Sequence, residues 1–324
     1  MSGELERTAF GPRLPEAMDT AAEGADPAAA LTAGDARDRA EIAEPIQRVL
    51  AWAESEAAIR AVLVTGSRAA GGPLDRFSDH DVILYVTDTS PFAASTDWSR
   101  IPGPILVSLE DRTAYDDTGQ FARLMLYEKG TKIDFTVAPA GELERIARAG
   151  TLPATLDLGY TVLVDKDGIA ARLPPATFQA YIAEPPGQHE FSMLVEEFWW
   201  ETTYVARALA RDELLPAKYS LESVMKLDLL RRMLEWRVAS ERDWTFRPGV
   251  LGRSLRRHLD ERTWQELEAT FTGADIASNR SALYVTIALF RRIAMELADR
   301  LGLTYPTALD VGVSRYIESV LGPG

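Results

Sequence analysis

The sequence predicts an α+β chain in two parts, a mixed β-sheet with flanking helices followed by an all-helical bundle. Three observations carry that expectation. Short apolar runs at 62–65, 81–86, 105–109, 121–127, 131–137 and 160–164 fill the first half, separated by stretches containing Gly, Pro or Asp. After Pro174-Pro175 and Pro185-Pro186 the pattern changes to long segments with helical apolar spacing. With 324 residues, the chain is long enough to build two cores.

The opening stretch is rich in Ala, Gly, Pro and Glu and lacks apolar periodicity, so residues 1–36 are expected to form a disordered tail. Ile46, Val49, Leu50 and Trp52 then recur at helical intervals within 38–54; Pro45 suits only a first turn, which moves the helix start to near Glu44. The apolar runs that follow are read as strands. Those at 121–128 and 131–137, joined by Lys129-Gly130, read as a β-hairpin, with a helix at 142–149 behind it. The strand at 160–164 and the turn Asp165-Lys166-Asp167-Gly168 close the first domain, expected over 37–175. In the second, 176–324, the positions Phe191, Leu194, Val195, Phe198, Trp199, Thr202, Val205 and Leu209 line one helix, and further helices are expected at about 221–240 and 283–301.

Composition narrows the function. Without cysteine, disulfides and thiolate metal sites are excluded, and three histidines scattered at 80, 189 and 258 make a His-based zinc site a poor match. A net charge of −14 weighs against nucleic acid as a partner, since such binding needs a basic track, and suits a cationic small molecule. No apolar run reaches membrane-spanning length and no signal-peptide pattern opens the chain, so no membrane partner is expected and the cytoplasm is the expected location.

The chemistry concentrates in two places in the first half. Gly66-Ser67-Arg68 ends the first apolar run, and Asp79-His80-Asp81 opens the second. Either alone has an ordinary reading, a turn or a chance Asp-x-Asp. Together they form a pattern: the bare Gly66 lets a phosphate approach the backbone, Ser67 offers it a hydroxyl, and Asp79 and Asp81, two residues apart on a strand, share a face. Carboxylates with substrate phosphates are the ligands Mg²⁺ prefers, which points to an enzyme acting on a nucleoside triphosphate. The sequence lacks the Gly-Lys-Ser/Thr of a common P-loop here. Asp134, set among Ile133, Phe135, Thr136 and Val137, supplies a third carboxylate. It is suited to ligate metal, to take the proton of an attacking hydroxyl, or both. Farther on, Glu196, Glu197, Trp199, Trp200, Glu201 and Tyr204 cluster on one helix. Within that cluster Trp199 has core spacing, whereas Glu197, Trp200 and Tyr204 are better placed to bind a cationic, sugar-like acceptor.

Gly-Ser, Asp-x-Asp and a later strand Asp resemble the nucleotidyltransferase superfamily. Asp79-His80-Asp81-Val82, Lys132-Ile133-Asp134-Phe135-Thr136, Leu163-Val164-Asp165-Lys166-Asp167-Gly168, Glu197-Phe198-Trp199-Trp200 and Met233-Leu234-Glu235-Trp236 fall in an order similar to the aminoglycoside 6-adenylyltransferases. That resemblance implies a nucleotidyltransferase domain followed by a helical acceptor-binding domain, with Mg²⁺ as cofactor. The implied reaction is transfer of AMP from ATP to a hydroxyl of an aminoglycoside, the 6-hydroxyl of streptomycin foremost. It gives Asp79, Asp81 and Asp134 the catalytic and metal-binding roles, and Gly66, Ser67 and Arg68 the triphosphate. The chain departs from the family pattern at Thr65, where Glu is expected, at Gly249-Val250, which lacks a lysine, and at Arg280, where Trp is expected. Lys218, Lys226, Arg232 and Arg253 are candidates for the missing positive charge. A nucleotidyltransferase for another hydroxylated small molecule and a nucleotide-binding protein without turnover are the alternatives.

Overall fold

The computed structural model describes residues 44–70, 77–111 and 118–322, so the expected tail lies outside the described residues. These divide into two compact units, one ending at Tyr181 and the other beginning at Ile182.

In the first unit, helix α1 (Glu44–Ser55) leads into β1 (Ile59–Thr65), the short turn of helix α2 (Gly66–Ala69) and β2 (His80–Val86). Helix α3 (Ser90–Ala94) and strands β3 (Ile105–Asp111), β4 (Phe121–Tyr127) and β5 (Lys132–Pro139) follow, then α4 (Ala140–Ala149), α5 (Ala154–Asp157) and β6 (Thr161–Asp165). Pro45 sits in the first turn of α1, where its missing N–H costs no helical hydrogen bond. The β4–β5 hairpin forms as the sequence predicts, with Gly130 at φ +83° in the turn.

The six strands make one mixed sheet in the order β3-β4-β5-β2-β1-β6. Every neighbouring pair is antiparallel except β2 and β5, which run parallel. A parallel pair needs a crossover connection, and α3, β3 and β4 supply it. Alternation then sorts the side chains. Val62, Val64, Val82, Leu84, Ile133, Phe135 and Val137 face α1, packing with Ile46, Val49 and Phe92. The opposite face packs Ala61, Leu63, Ile83, Tyr85 and Ala138 against Leu143 and Ile146 of α4. Within this unit α4 covers that face at the end where β2 and β5 finish. Where they begin, the same face carries Asp81, Lys132 and Asp134.

The second unit is a helical bundle. Helix α6 (Gln188–Ala210) is followed by a continuous helical run over α7 (Leu214–Lys218), a π-wound stretch (Tyr219–Leu230) and α8 (Arg231–Glu241). Two short helices, α9 (Leu255–His258) and α10 (Glu261–Glu268), precede the long α11 (Ile276–Leu301) and the closing α12 (Thr307–Leu321). Sequence periodicity anticipates α6, the 221–240 part of the 214–241 run and the 283–301 part of α11; both of the latter begin seven residues earlier than expected. Helices α10 and α12 stand outside those expectations: Thr263 is the one buried residue of α10, while α12 buries Asp310 and Ile317 and packs Leu309, Val313, Val320 and Leu321 against the core. Phe198 stacks on Phe290 with ring centroids 3.6 Å apart, joining α6 to α11 in the core.

A polar seam fastens α12 to that core. Arg291 donates to Asp310 Oδ2 at 2.7 Å and Oδ1 at 2.6 Å, Tyr305 Oη donates to Asp310 at 2.8 Å, and Trp199 Nε1 donates to Tyr305 Oη at 3.2 Å. Burial pushes the Asp310 carboxyl up, but the hydrogen bonds from Arg291 and Tyr305 outweigh it and hold the group below the usual carboxylate range. Its stabilisation is therefore complete above the unfolded-state pKa and lost as pH falls through the lower folded value. Replacing Asp310 with Asn is expected to cost on the order of 2 kcal/mol at pH 7 in urea unfolding. The difference from the natural protein should shrink below about pH 4, where the unfolded carboxylate protonates ahead of the folded one.

Candidate active site

The parallel register pairs Asp81 of β2 with Asp134 of β5, and the antiparallel one pairs Thr65 at the end of β1 with Asp81. Paired residues on neighbouring strands point to the same face, so Thr65, Asp81 and Asp134 form a row across the sheet. Asp79 immediately precedes β2. Exposure alternates from partly exposed Asp79 through buried His80 to partly exposed Asp81, the common face predicted from the Asp-x-Asp spacing. The sequence-predicted Gly66 and Ser67 begin the turn directly after Thr65, and Gly66 adopts φ +73°, a left-handed conformation that glycine enters without steric cost.

Arg68 holds this turn to the loop before β2. Its Nε donates to the Asp79 carbonyl at 2.9 Å and its Nη2 to the Ser78 carbonyl at 3.0 Å. Burial lowers the Arg68 pKa, and the nearby Asp79 and Asp81 charges partly offset that. Its observed role is thus to fix the backbone that carries Asp79. His80 points the other way, into the core; burial, aided by the charge of Arg68, brings its pKa down to about 4, so the imidazole is neutral at pH 7.

One participant was not singled out from the sequence. The Lys132 ammonium lies 2.6 Å from Asp79 Oδ2 and 3.2 Å from Asp134 Oδ2, tying the two carboxylates together. The signal for it was present, since Lys132 stands two residues before Asp134 on one strand and therefore on the same face. Three carboxylates of this kind offer the hard oxygen donors that suit a divalent cation. In kind the donor set fits, and two of its members already share one positive charge. In placement, no three His, Cys, Asp or Glu side chains among the described residues are grouped to hold a metal, and Lys132 stands between Asp79 and Asp134.

The remaining expected residues belong to the helical unit. Trp199 is fully buried, as its spacing predicts, with the Arg291 guanidinium 5.3 Å from its ring centroid. Trp200 and Tyr204 are 61% and 45% exposed and meet edge to face, centroids 5.9 Å apart. Partly exposed Glu197 lies one helical turn before Trp200 on the same side of α6, whereas Glu201 turns inward.

Lys218 and Lys226 converge on Glu222 at 3.0 Å each. Lys218 also donates to the Thr272 carbonyl at 2.8 Å, and Lys226 donates to that of Thr270, with its ammonium 4.7 Å from the Phe271 ring centroid. The Lys226 side chain is wholly enclosed, and burial lowers its pKa against the opposing pull of Glu222. That commitment gives it a structural place in the bundle. Arg232 pairs with Glu190 and lies over Trp236. Arg253 is exposed and follows a loop in which Gly249, Leu251 and Gly252 all have positive φ.

Comparison with known proteins agrees with the motif order. The family model described as streptomycin adenylyltransferase matches residues 39–320. The aminoglycoside 6-adenylyltransferase of Bacillus subtilis (strain 168) is 31% identical over 277 residues, covering 84% of this chain and 94% of that protein. The Campylobacter jejuni enzyme of the same name is 31% identical over 273 residues, covering 83% and 92%. A crystal structure of an aminoglycoside 6-adenyltransferase from Bacillus subtilis aligns with a TM-score of 0.43 at 26% identity, over 86% of this chain and 98% of that one. The chain belongs to the streptomycin adenylyltransferase family of nucleotidyltransferase enzymes.

The enclosed lysine gives a direct check on the division of roles. Lys226→Met should lower stability by about 2 kcal/mol in urea unfolding, because the Thr270 carbonyl and Glu222 lose a charged donor. ATP affinity measured by calorimetry should stay within about twofold of the natural protein, less than 0.5 kcal/mol.

Proposed function

We propose that this protein transfers AMP from ATP to a hydroxyl of an aminoglycoside in a Mg²⁺-dependent reaction, with the 6-hydroxyl of streptomycin as the favoured acceptor. The observation that carries the reading is the pairing of Asp81 with Asp134, beside the Gly66-Ser67 turn, in a chain of this family. The first unit is the catalytic domain and the helical unit binds the acceptor. Among the described residues no helix is long and apolar enough to cross a membrane. We assign the reaction to the cytoplasm because ATP and Mg²⁺ are available there.

In the transfer, the acceptor oxygen forms a bond to the α-phosphorus while the bond from that phosphorus to the bridging oxygen breaks, and pyrophosphate leaves. Asp79, Asp81 and Asp134 would hold Mg²⁺, which supplies neutralising charge to the triphosphate and lowers the pKa of the attacking hydroxyl. The Ser67 hydroxyl and the backbone N–H groups of its turn donate to phosphate oxygens. Asp134 accepts the proton that the hydroxyl gives up. Arg68 contributes indirectly, holding the Ser78 and Asp79 carbonyls so that the carboxylates meet the substrate already in position. Glu197 pairs with a guanidinium or ammonium of the acceptor, and the exposed rings of Trp200 and Tyr204 cover its sugar faces.

Pyrophosphate release with ATP, Mg²⁺ and a panel of aminoglycosides tests this reading. Asp81→Asn and Asp134→Asn should each lower kcat by on the order of 10²–10⁴ while folding normally by circular dichroism. Near-full activity in either variant would refute the assignment. Trp200→Ala should raise KM for streptomycin by about tenfold, a loss on the scale of a cation–ring contact, with KM for ATP unchanged.

A further inference from the structure

The ammonium of Lys132 occupies a position that the transfer reaction cannot leave as it is. It bonds to one oxygen of Asp79 at 2.6 Å and one of Asp134 at 3.2 Å, two of the three carboxylates assigned to metal. A divalent ion sharing those oxygens would stand within about 4 Å of a fixed ammonium, a separation at which like charges repel strongly at the dielectric of a partly buried site. The two cations therefore compete for the same anions.

The surroundings favour a lysine that can move. Its side chain is 31% exposed, against 16% for Asp79 and 17% for Asp134, so the carboxylates stay in place while the longer side chain has a route to solvent. It extends from the first residue of β5, on the face that α4 leaves uncovered within this unit, so its departure disturbs no packed core residue. A flexible four-carbon stem carrying a point charge can turn from one set of anions to another with little reorganisation.

We propose that Lys132 is a resident counter-cation of the aspartate site, yielding to divalent metal chiefly when a triphosphate gives its ammonium a second anionic partner. The proposal rests on the adenylyltransferase reading above and assigns Lys132 a positioning and coupling role. Without nucleotide, Lys132 screens the mutual repulsion of Asp79 and Asp134 and keeps them close. When metal arrives with a triphosphate, Lys132 moves to the phosphate oxygens and the carboxylates pass to the metal. Metal and nucleotide then bind with positive coupling, each relieving a cost that the other would meet alone.

Mn²⁺ binding followed by the electron paramagnetic resonance signal of the free ion reads this without turnover. It is measured on the full chain with and without an ATP analogue whose α,β-bridge resists cleavage. Lys132→Met should bind Mn²⁺ alone about tenfold or more tightly than the natural protein, and the factor by which the analogue improves Mn²⁺ affinity should fall correspondingly. Lys132→Arg, which keeps the charge, should retain weak binding of Mn²⁺ alone. Unchanged Mn²⁺ affinity in Lys132→Met, with the coupling factor intact, overturns the proposal. Asp81→Asn separates the two levels of the argument. If it abolishes Mn²⁺ binding while Lys132→Met has no effect, the counter-cation role alone fails; if Asp81→Asn leaves Mn²⁺ binding as it was, the metal reading fails with it. Melting curves of each variant exclude misfolding as the source of any loss.

Discussion

The parallel pairing of β2 with β5 is the constraint on which the rest of the first unit turns. It sets Asp81 directly beside Asp134, about 4.8 Å away across the ladder, in a sheet whose opposite face packs Val, Ile, Leu and Phe side chains. Two carboxylates that close, partly withdrawn from water, repel each other, and positive charge nearby offsets that repulsion. Lys132 and Arg68 supply that charge, one as a direct partner of Asp79 and Asp134, the other through the backbone and its field. An arrangement so unfavourable by itself is what a site for a cation bound to phosphates requires.

The local structure is economical in how it presents this charge. Three neighbouring strands end or begin at one edge of the sheet, and α4, which follows β5 immediately, packs over the other end of the same face. Gly66 turns the chain sharply out of β1, and the guanidinium of Arg68 then reaches back to the carbonyls before β2. The Gly66-Ser67 turn and the loop that carries Asp79 are thereby held to each other. In the helical unit the chemistry divides by depth. Trp199, Lys226 and Arg291 are bound up in internal contacts, while Trp200 and Tyr204 present their rings to solvent from the same helix that buries Trp199.

Much of this could be read from the residues. Alternation predicts that Asp79 and Asp81 share a face, and the hairpin of β4 and β5 follows from two apolar runs joined through Gly130. The pairing of β2 with β5 could not be read in this way, because a parallel partner separated by two intervening strands leaves no local mark in the sequence. Lys132 was missed for a related reason: a lysine beginning a strand is ordinarily solvated, and only the loop before β2 brings Asp79 beside it as a second anion to Asp134 of its own strand. The charge of Lys226 suggests a phosphate contact; within the π-wound stretch its ammonium is turned inward to Glu222 and the Thr270 carbonyl. The narrow buried face of α10 leaves few apolar positions for periodicity to register, whereas α12 carries Leu309, Val313, Ile317 and Leu321 at four-residue spacing.

The claim that the aspartates of β2 and β5 act together on a metal-bound triphosphate is tested most directly by anomalous diffraction from crystals grown with Mn²⁺ and a non-cleavable ATP analogue. The account predicts a manganese peak in contact with carboxylate oxygens of Asp81 and with phosphate oxygens of the analogue, the adjacent turn at Gly66-Ser67 lying against the triphosphate. A fully occupied analogue whose manganese touches none of Asp79, Asp81 and Asp134 would contradict it.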